Sequence, residues 1–371
     1  MRAALLLLPF LLAACDAPVA TPPDSEAATL PLLPAGLTVG TTLYGSADLG
    51  ALSSGERATL DAAIARGLGG FSFYVDWADL EAQEGVYTLD AFIATLDALQ
   101  ALGLTPLVNL TVGDSGGYNL PPGLGNGAGG VASGVRLDDE AVLERFGRLL
   151  DRIAPALVAR GGFFLAVGNE MGEYLDADRE AREAYTAFVE AARQRVHARE
   201  PQLAVGVTLT TGAVRQRTAT YRAMRGVADA VAINYGPIQD DFFVIPEADI
   251  RADVREVIEA SGDGPLIIQE LTCPNPTSMG ASDAWQETCF EILMDEVLAT
   301  PRVRFASVFT FLDFDAPTCQ AVQDALLGDE LDDLPPEVAQ RLGDYFCGLG
   351  VVREGGQPRP GWEVVLDGIE G

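Results

Sequence analysis

The chain has 371 residues, 48% of them apolar, which is material for one large α/β barrel or for two smaller domains. Acidic side chains outnumber basic ones 54 to 24, and no lysine occurs, so every strongly basic side chain is an arginine. A formal net charge of −30 would repel a phosphate backbone and argues strongly against a nucleic-acid partner; it suits an exported protein kept soluble by its acid excess, and a neutral glycan better than an anionic one.

The amino terminus has the layout of a signal peptide, with Met1-Arg2 as a short positive start and Ala3–Ala14 as an apolar stretch too short for a permanent span. Leu12-Ala13-Ala14-Cys15 resembles the bacterial lipoprotein box, in which the cysteine is lipidated and becomes the mature amino terminus. Residues 1–15 are therefore expected to be a leader ending at Cys15. The Pro-, Ala- and Thr-rich stretch 16–34 is expected to be a disordered tether, and 35–371 the folded domain. The protein is accordingly expected in a bacterial cell envelope, touching the membrane only through its lipid.

From there strands and helices alternate. Leu37–Leu43 reads as a first strand, Ser54–Leu68 as a helix and Gly70–Val75 as a second strand. Thr88–Leu102 places Leu89, Phe92, Ile93, Leu96 and Leu99 at helical spacing, with Thr88 as the predicted N-cap and Gly103 as terminator. Leu104–Leu110 reads as a third strand, and the glycine-rich Gly113–Gly134 as a functional surface loop. A helix marked by Val142, Phe146, Leu149 and Ile153 leads to the apolar run Phe163–Val167, which stops on Gly168 and delivers Asn169 and Glu170. A helix carrying Tyr185, Phe188 and Val196 follows, then strands at Leu203–Leu209 and Ala230–Asn234 and a helix at Asp249–Ala260. Leu266–Ile268 delivers Gln269 and Glu270, and Ala284–Leu298 (helix) and Arg304–Leu312 (strand) complete the alternation.

Eight such strands allow a closed (β/α)8 TIM barrel or an open doubly wound sheet. No G-x-G-x-x-G follows the first strand and no P-loop occurs, so nucleotide binding loses its usual signature. In a single eightfold barrel all strand ends converge on one mouth, where Glu170 and Glu270 would face each other. Two carboxylates about 5–5.5 Å apart across a glycosidic bond are what retaining hydrolysis needs. One strand-end glutamate alone would as readily be an ion-pair partner; two of them make a working pair.

These motifs resemble the large superfamily of retaining (β/α)8 glycoside hydrolases called clan A. In that superfamily an Asn-Glu pair closes strand four, its Glu being the acid/base, and a second Glu closing strand seven is the nucleophile. Asn169-Glu170 and Gln269-Glu270 match those positions. The strand-six tyrosine that hydrogen-bonds the nucleophile matches Tyr235 in AINYGP. Trp77-x-x-x-Glu81-x-x-x-Gly85-x-Tyr87 is similar to the strand-two region, and Gly348-Leu349 with Gly356–Trp362 to the closing segment, so the resemblance covers nearly all of 35–371.

The chain also departs from that pattern. Many relatives carry an arginine on strand two, which Phe71–Trp77 lacks, and strand eight usually ends in a tryptophan where this chain reads Phe309-Thr310-Phe311-Leu312. The one histidine, His197, falls inside a helix and reads as a solvated residue.

The resemblance implies a retaining β-glycosidase, endo-acting on a β-linked poly- or oligosaccharide, with Glu170 as acid/base and Glu270 as nucleophile. Asn169 would hold the sugar 2-hydroxyl, Tyr235 would orient Glu270, and Gln269 would lie beside the substrate. Among the aromatics Trp77, Tyr118, Phe242 and Phe243, Trp77 is the candidate sugar platform. Glu81, Gly85 and Tyr87 read as structural, and Glu173 and Asp176 as loop or helix-start charges. No metal or organic cofactor is implied. The alternative is a non-catalytic glycan-binding lipoprotein on the same barrel, which the missing arginine and tryptophan favour.

Cys273, Cys289, Cys319 and Cys347 remain, an even number that in an exported protein points to two disulfides with three connectivities; no close C-x-x-C pair suggests a metal site. Cys273 and Cys289 flank the loop after strand seven, and Cys319 and Cys347 the segment after strand eight, so local pairing is predicted.

Overall fold

Short apolar runs buried on both faces, each followed by a helix, close into a barrel in the computed structural model, which describes residues 33–43, 49–115, 117–327 and 334–371. The barrel strands are β1 (Thr38–Thr42), β2 (Gly70–Asp76), β3 (Thr105–Asp114), β4 (Phe164–Asn169), β5 (Ala204–Thr210), β6 (Ala230–Tyr235), β7 (Leu266–Leu271) and β8 (Val303–Val308). Each pairs in parallel with its sequence neighbours, and β8 pairs with β1 to close the ring. The expected single (β/α)8 barrel is what forms, within one compact unit spanning 31–371. The predicted leader 1–15 with Cys15, and 16–32 of the predicted tether, lie outside the described residues. Among the described residues no helix is long and apolar enough to cross a membrane.

The lumen is filled in two tiers. One is apolar, with Leu107, Phe164, Ala166, Ala204, Ala232, Ile267 and Phe305 packed together. Gly70 is required there, because a Cβ on it would lie 2.4 Å from the Phe305 ring. The other tier is polar and buried, and includes Thr42, Ser72, Asn109, Thr208, Gln269 and Ser307. Buried polar groups need partners, and here they find one another: Thr42 and Ser72 each meet Ser307, at 2.9 and 3.0 Å.

The helices start where sequence provides caps. Ser53 and Glu56 form a capping box for Ser54–Ala65, Asp178 caps Arg179–His197, and Ser282 caps Asp283–Leu298. Thr88 does not cap: the second predicted helix begins at Asp90, with Leu89 in the cap position. His197 ends its helix with Nε2 2.9 Å from Asp229 Oδ2, so it ties that helix to the turn before β6 and is not merely solvated. Both predicted disulfides are present, Cys273–Cys289 and Cys319–Cys347. The second joins two helices that follow β8, Ala316–Leu327 and Pro336–Cys347.

Candidate active site

β4 and β7 deliver the two glutamates, and both strands are irregular where they do so. Register shifts interrupt the β3–β4 and β4–β5 ladders before Asn169, and the β6–β7 and β7–β8 ladders around Gln269 and Glu270. Such bulges re-aim side chains, which lets consecutive residues serve one site despite the alternation of a regular strand. Gly168 takes φ +101°, and a Cβ there would lie 2.2 Å from the Tyr185 hydroxyl. Glu170 itself sits in the left-handed region at φ +50°, its N–H held by the Thr208 carbonyl at 3.0 Å. A non-glycine residue there costs on the order of 1–3 kcal/mol, and such strain clusters at functional sites.

The Glu270 carboxyl is half-buried and accepts a hydrogen bond from the Tyr74 hydroxyl. Burial pushes its pKa well above the usual range, the nearby Glu170 and Asp114 charges add to that, and the Tyr74 bond opposes them. Asp114, at the end of β3, is likewise raised by burial and accepts from Asn169 Nδ2 at 2.9 Å. Asp76, closing β2, is pushed up to about 6 by burial and then by Asp79 and Asp114. The mouth therefore gathers carboxylates from β2, β3, β4 and β7. Among the described residues no cluster of His, Cys, Asp and Glu could hold a metal ion.

Asn169 and Gln269 lie inside this arrangement. Asn169 Oδ1 accepts from Gln269 Nε2 at 3.1 Å and from Asn234 Nδ2 at 3.2 Å. Gln269 is wholly buried, so it supports the site from beneath and cannot line a sugar-filled cleft. Two other expectations are corrected. The Tyr235 hydroxyl gives its one proton to Asp253 Oδ2 at 2.8 Å, a carboxylate that Arg215 also holds, so it is not the donor to Glu270. Trp77 is wholly buried against Phe146 and Phe188, with Nε1 donating to Glu81 at 2.8 Å; it presents no face to a sugar. Glu81 also takes Gly85 N–H and Arg145, the structural role expected of it. Tyr118 packs edge-on against Tyr174, Phe242 meets Tyr345, and Phe243 lies under the Arg341 guanidinium.

Sequence reading missed Tyr74, Asp114, Asn109, Thr208, Asn234 and Tyr345. A signal existed for Tyr74. In Gly70–Asp76, Ser72 and Tyr74 alternate with Phe71 and Phe73, and strand period puts the two hydroxyls on one face. Tyr345 carries no such signal: it arrives from Pro336–Cys347, the second helix after β8, and its hydroxyl meets Thr272 Oγ1 at 3.1 Å.

Fold and site together define a (β/α)8 protein with a cluster of acidic side chains at the carboxyl ends of its strands. No family model matches the sequence, and no curated protein matches it. Solved structures do match. The exo-β-1,4-mannosidase Op5Man5 from Opitutaceae bacterium strain TAV5 superposes with a TM-score of 0.62 at 18% identity, over 90% of this chain and 59% of that one. This chain thus spans about three-fifths of that protein's length. A GH5_18 protein from Streptomyces cattleya, in complex with Manβ1-4GlcNAc, gives 0.64 at 16% identity over 90% of this chain and 80% of that one. GH5_18 from Bifidobacterium longum subsp. longum gives 0.62 at 13% identity over 90% and 78%. At such identities the likeness is one of fold.

Proposed function

We propose that the chain is a retaining β-glycosidase in which Glu170 is the acid/base and Glu270 the nucleophile. The observation that carries this reading is the meeting of two strand ends across the barrel: Asn169 and Gln269, the residues just before Glu170 and Glu270, hydrogen-bond each other at 3.1 Å. Burial and the Glu170 charge both raise the Glu270 pKa. The Tyr74 hydrogen bond opposes that rise and favours charge on Glu270, the nucleophile, while Glu170 is assigned the proton. That is the division of labour the reaction needs.

In the first step a Glu270 oxygen attacks the anomeric carbon, the glycosidic C–O bond breaks, and the Glu170 proton passes to the departing oxygen. In the second, Glu170 takes a proton from water, whose oxygen attacks the same carbon and releases Glu270. The cycle is complete with these two groups and water. Asn169, between Asp114 and Gln269, remains the candidate for the sugar 2-hydroxyl, while Tyr235 and Trp77 drop out of the site.

The structural neighbours' names put β-1,4-linked mannosides first among substrates to try, ahead of β-glucans, xylan and galactan. Glu270→Ala should abolish turnover, and azide should restore it with inverted anomeric configuration. Glu170→Ala should still form the intermediate from aryl glycosides with good leaving groups, and then accumulate it. If neither substitution lowers activity on a responsive glycan by about a hundredfold, the low end for positioned acid–base catalysis, the assignment is wrong. Burial of Trp77 removes the candidate aromatic platform. A wild type that binds glycans and cleaves none would therefore make the chain a glycan-binding barrel.

A further inference from the structure

Glu270 must be ionised to attack, yet burial and the charges of Glu170 after β4 and Asp114 on β3 all oppose its ionisation. From the helix Pro336–Cys347, Tyr345 adds only a neutral phenol, held so by burial despite its bond to Thr272. β2 supplies no arginine where the resembling superfamily often has one. It supplies Tyr74, whose own ionisation is suppressed by burial and by the charge of Glu270.

The direction of each hydrogen bond follows from what each group can do. Asn109 Nδ2 and Thr208 Oγ1 both donate to Gln269 Oε1, at 2.9 and 2.7 Å. That fixes the amide, with Nε2 turned toward Tyr74 Oη at 2.9 Å and toward Asn169 Oδ1 at 3.1 Å and Asn234 Oδ1 at 3.4 Å. An amide N–H only donates, so the Tyr74 oxygen accepts. Its own proton is then left for Glu270 Oε1. Asn109, Thr208 and Gln269 are all buried, so water does not compete for these positions. A hydrogen bond to a carboxylate is charge-assisted, roughly twice as strong as one between neutral groups.

We propose that this one-directional relay, from Asn109 and Thr208 through Gln269 and Tyr74, orients Glu270 and favours its ionised form, the part a cation would otherwise play. Tyr74 is a positioning residue acting through Glu270, and the relay's catalytic meaning rests on the reading of Glu270 as nucleophile. Its strands, β2, β3, β5 and β7, are not all neighbours, so the relay crosses the lumen and does not follow the ladder.

The test reads the ionisation of Glu270 itself, independently of turnover. In full-length protein labelled with carboxyl-13C glutamate, the Glu270 resonance is assigned by its loss in Glu270→Gln and titrated by NMR. Tyr74→Phe should raise its midpoint by about one pH unit, a tenfold change in the ionisation constant. Gln269→Leu should raise it by less, and Tyr235→Phe should leave it in place. On a cleaved glycoside, the acid limb of kcat/KM should move up with the midpoint, because the ionised form is the active one. An unchanged or lowered midpoint in Tyr74→Phe overturns the relay; should that variant not fold, the same result in Gln269→Leu overturns it. A raised midpoint in a protein that cleaves no glycan keeps the relay and overturns the glycosidase. Cleavage with an unmoved midpoint does the reverse.

Discussion

Asp76 shows how far one side chain's surroundings can move the balance of the fold. Its pKa is pushed from 3.8 up to about 6, by burial first and then by Asp79 and Asp114. A carboxyl that holds its proton more tightly when folded stabilises the native state in its protonated form. That contribution is full below the unfolded value and is lost as the pH rises through about 6. Asp76→Asn should therefore raise the urea midpoint at pH 8 and leave it unchanged near pH 3.5. The shift corresponds to ~3 kcal/mol at most, and about 1–2 kcal/mol after allowing for solvent contact. Equal midpoints for variant and wild type at both pH values would refute this account. Tyr235 and Tyr74 teach a related lesson at the same scale. Both are strand tyrosines close to a carboxylate, but one hydroxyl serves Asp253 outside the ring and the other serves Glu270 inside it. Motif position alone named the wrong one, because a motif match does not say which way a side chain points.

At the scale of elements, the alternation of strands and helices was legible because parallel strands buried on both faces leave unbroken apolar runs. Both glutamates were legible for the same reason, since each interrupts such a run. The reach of β3 was not. It was expected to stop at Leu110 but continues to Asp114, because Gly113 and Asp114 pair with a two-residue antiparallel arm at Gly117–Tyr118. That continuation delivers Asp114 to the site, and nothing local in a glycine-rich stretch announces it. The bulges that turn Glu270 into the mouth depend on the neighbouring ladders and are invisible in a single segment. The disulfides were legible from position, and the Cys319–Cys347 bridge makes an element-level prediction. It closes a separation of 28 residues, for which chain entropy predicts ~3–4 kcal/mol of stabilisation. Cys319→Ser with Cys347→Ser should lower the urea midpoint accordingly while far-UV circular dichroism keeps the barrel signal. An unchanged midpoint would show that the two helices hold together without the bridge.

Across the whole molecule several arginines fasten helices to one another. Arg66, at the end of Ser54–Ala65, reaches Glu363 at 2.7 Å, Asp367 at 2.5 Å and Glu370 at 3.0 Å on Pro360–Glu370, joining the first and last helices. Arg251 and Arg255 on Glu247–Ala260 grip Glu296 on the next helix. Arg145 is buried with Glu81, a pair whose halves cannot be removed singly without leaving an uncompensated charge, at about 3–5 kcal/mol. The same outer shell holds all three tryptophans: Trp77 between helices, Trp285 on Asp283–Leu298, and Trp362 edge-on to Phe311. None presents a ring to solvent. The intrinsic fluorescence of the native protein should therefore be blue-shifted, should move to the red only as the barrel unfolds in denaturant, and should stay flat while calorimetry registers a glycan binding. An emission change that follows sugar occupancy in the native protein would mean that the cleft reaches one of these indoles. Otherwise the light the protein emits reports on its walls and is blind to what enters its mouth.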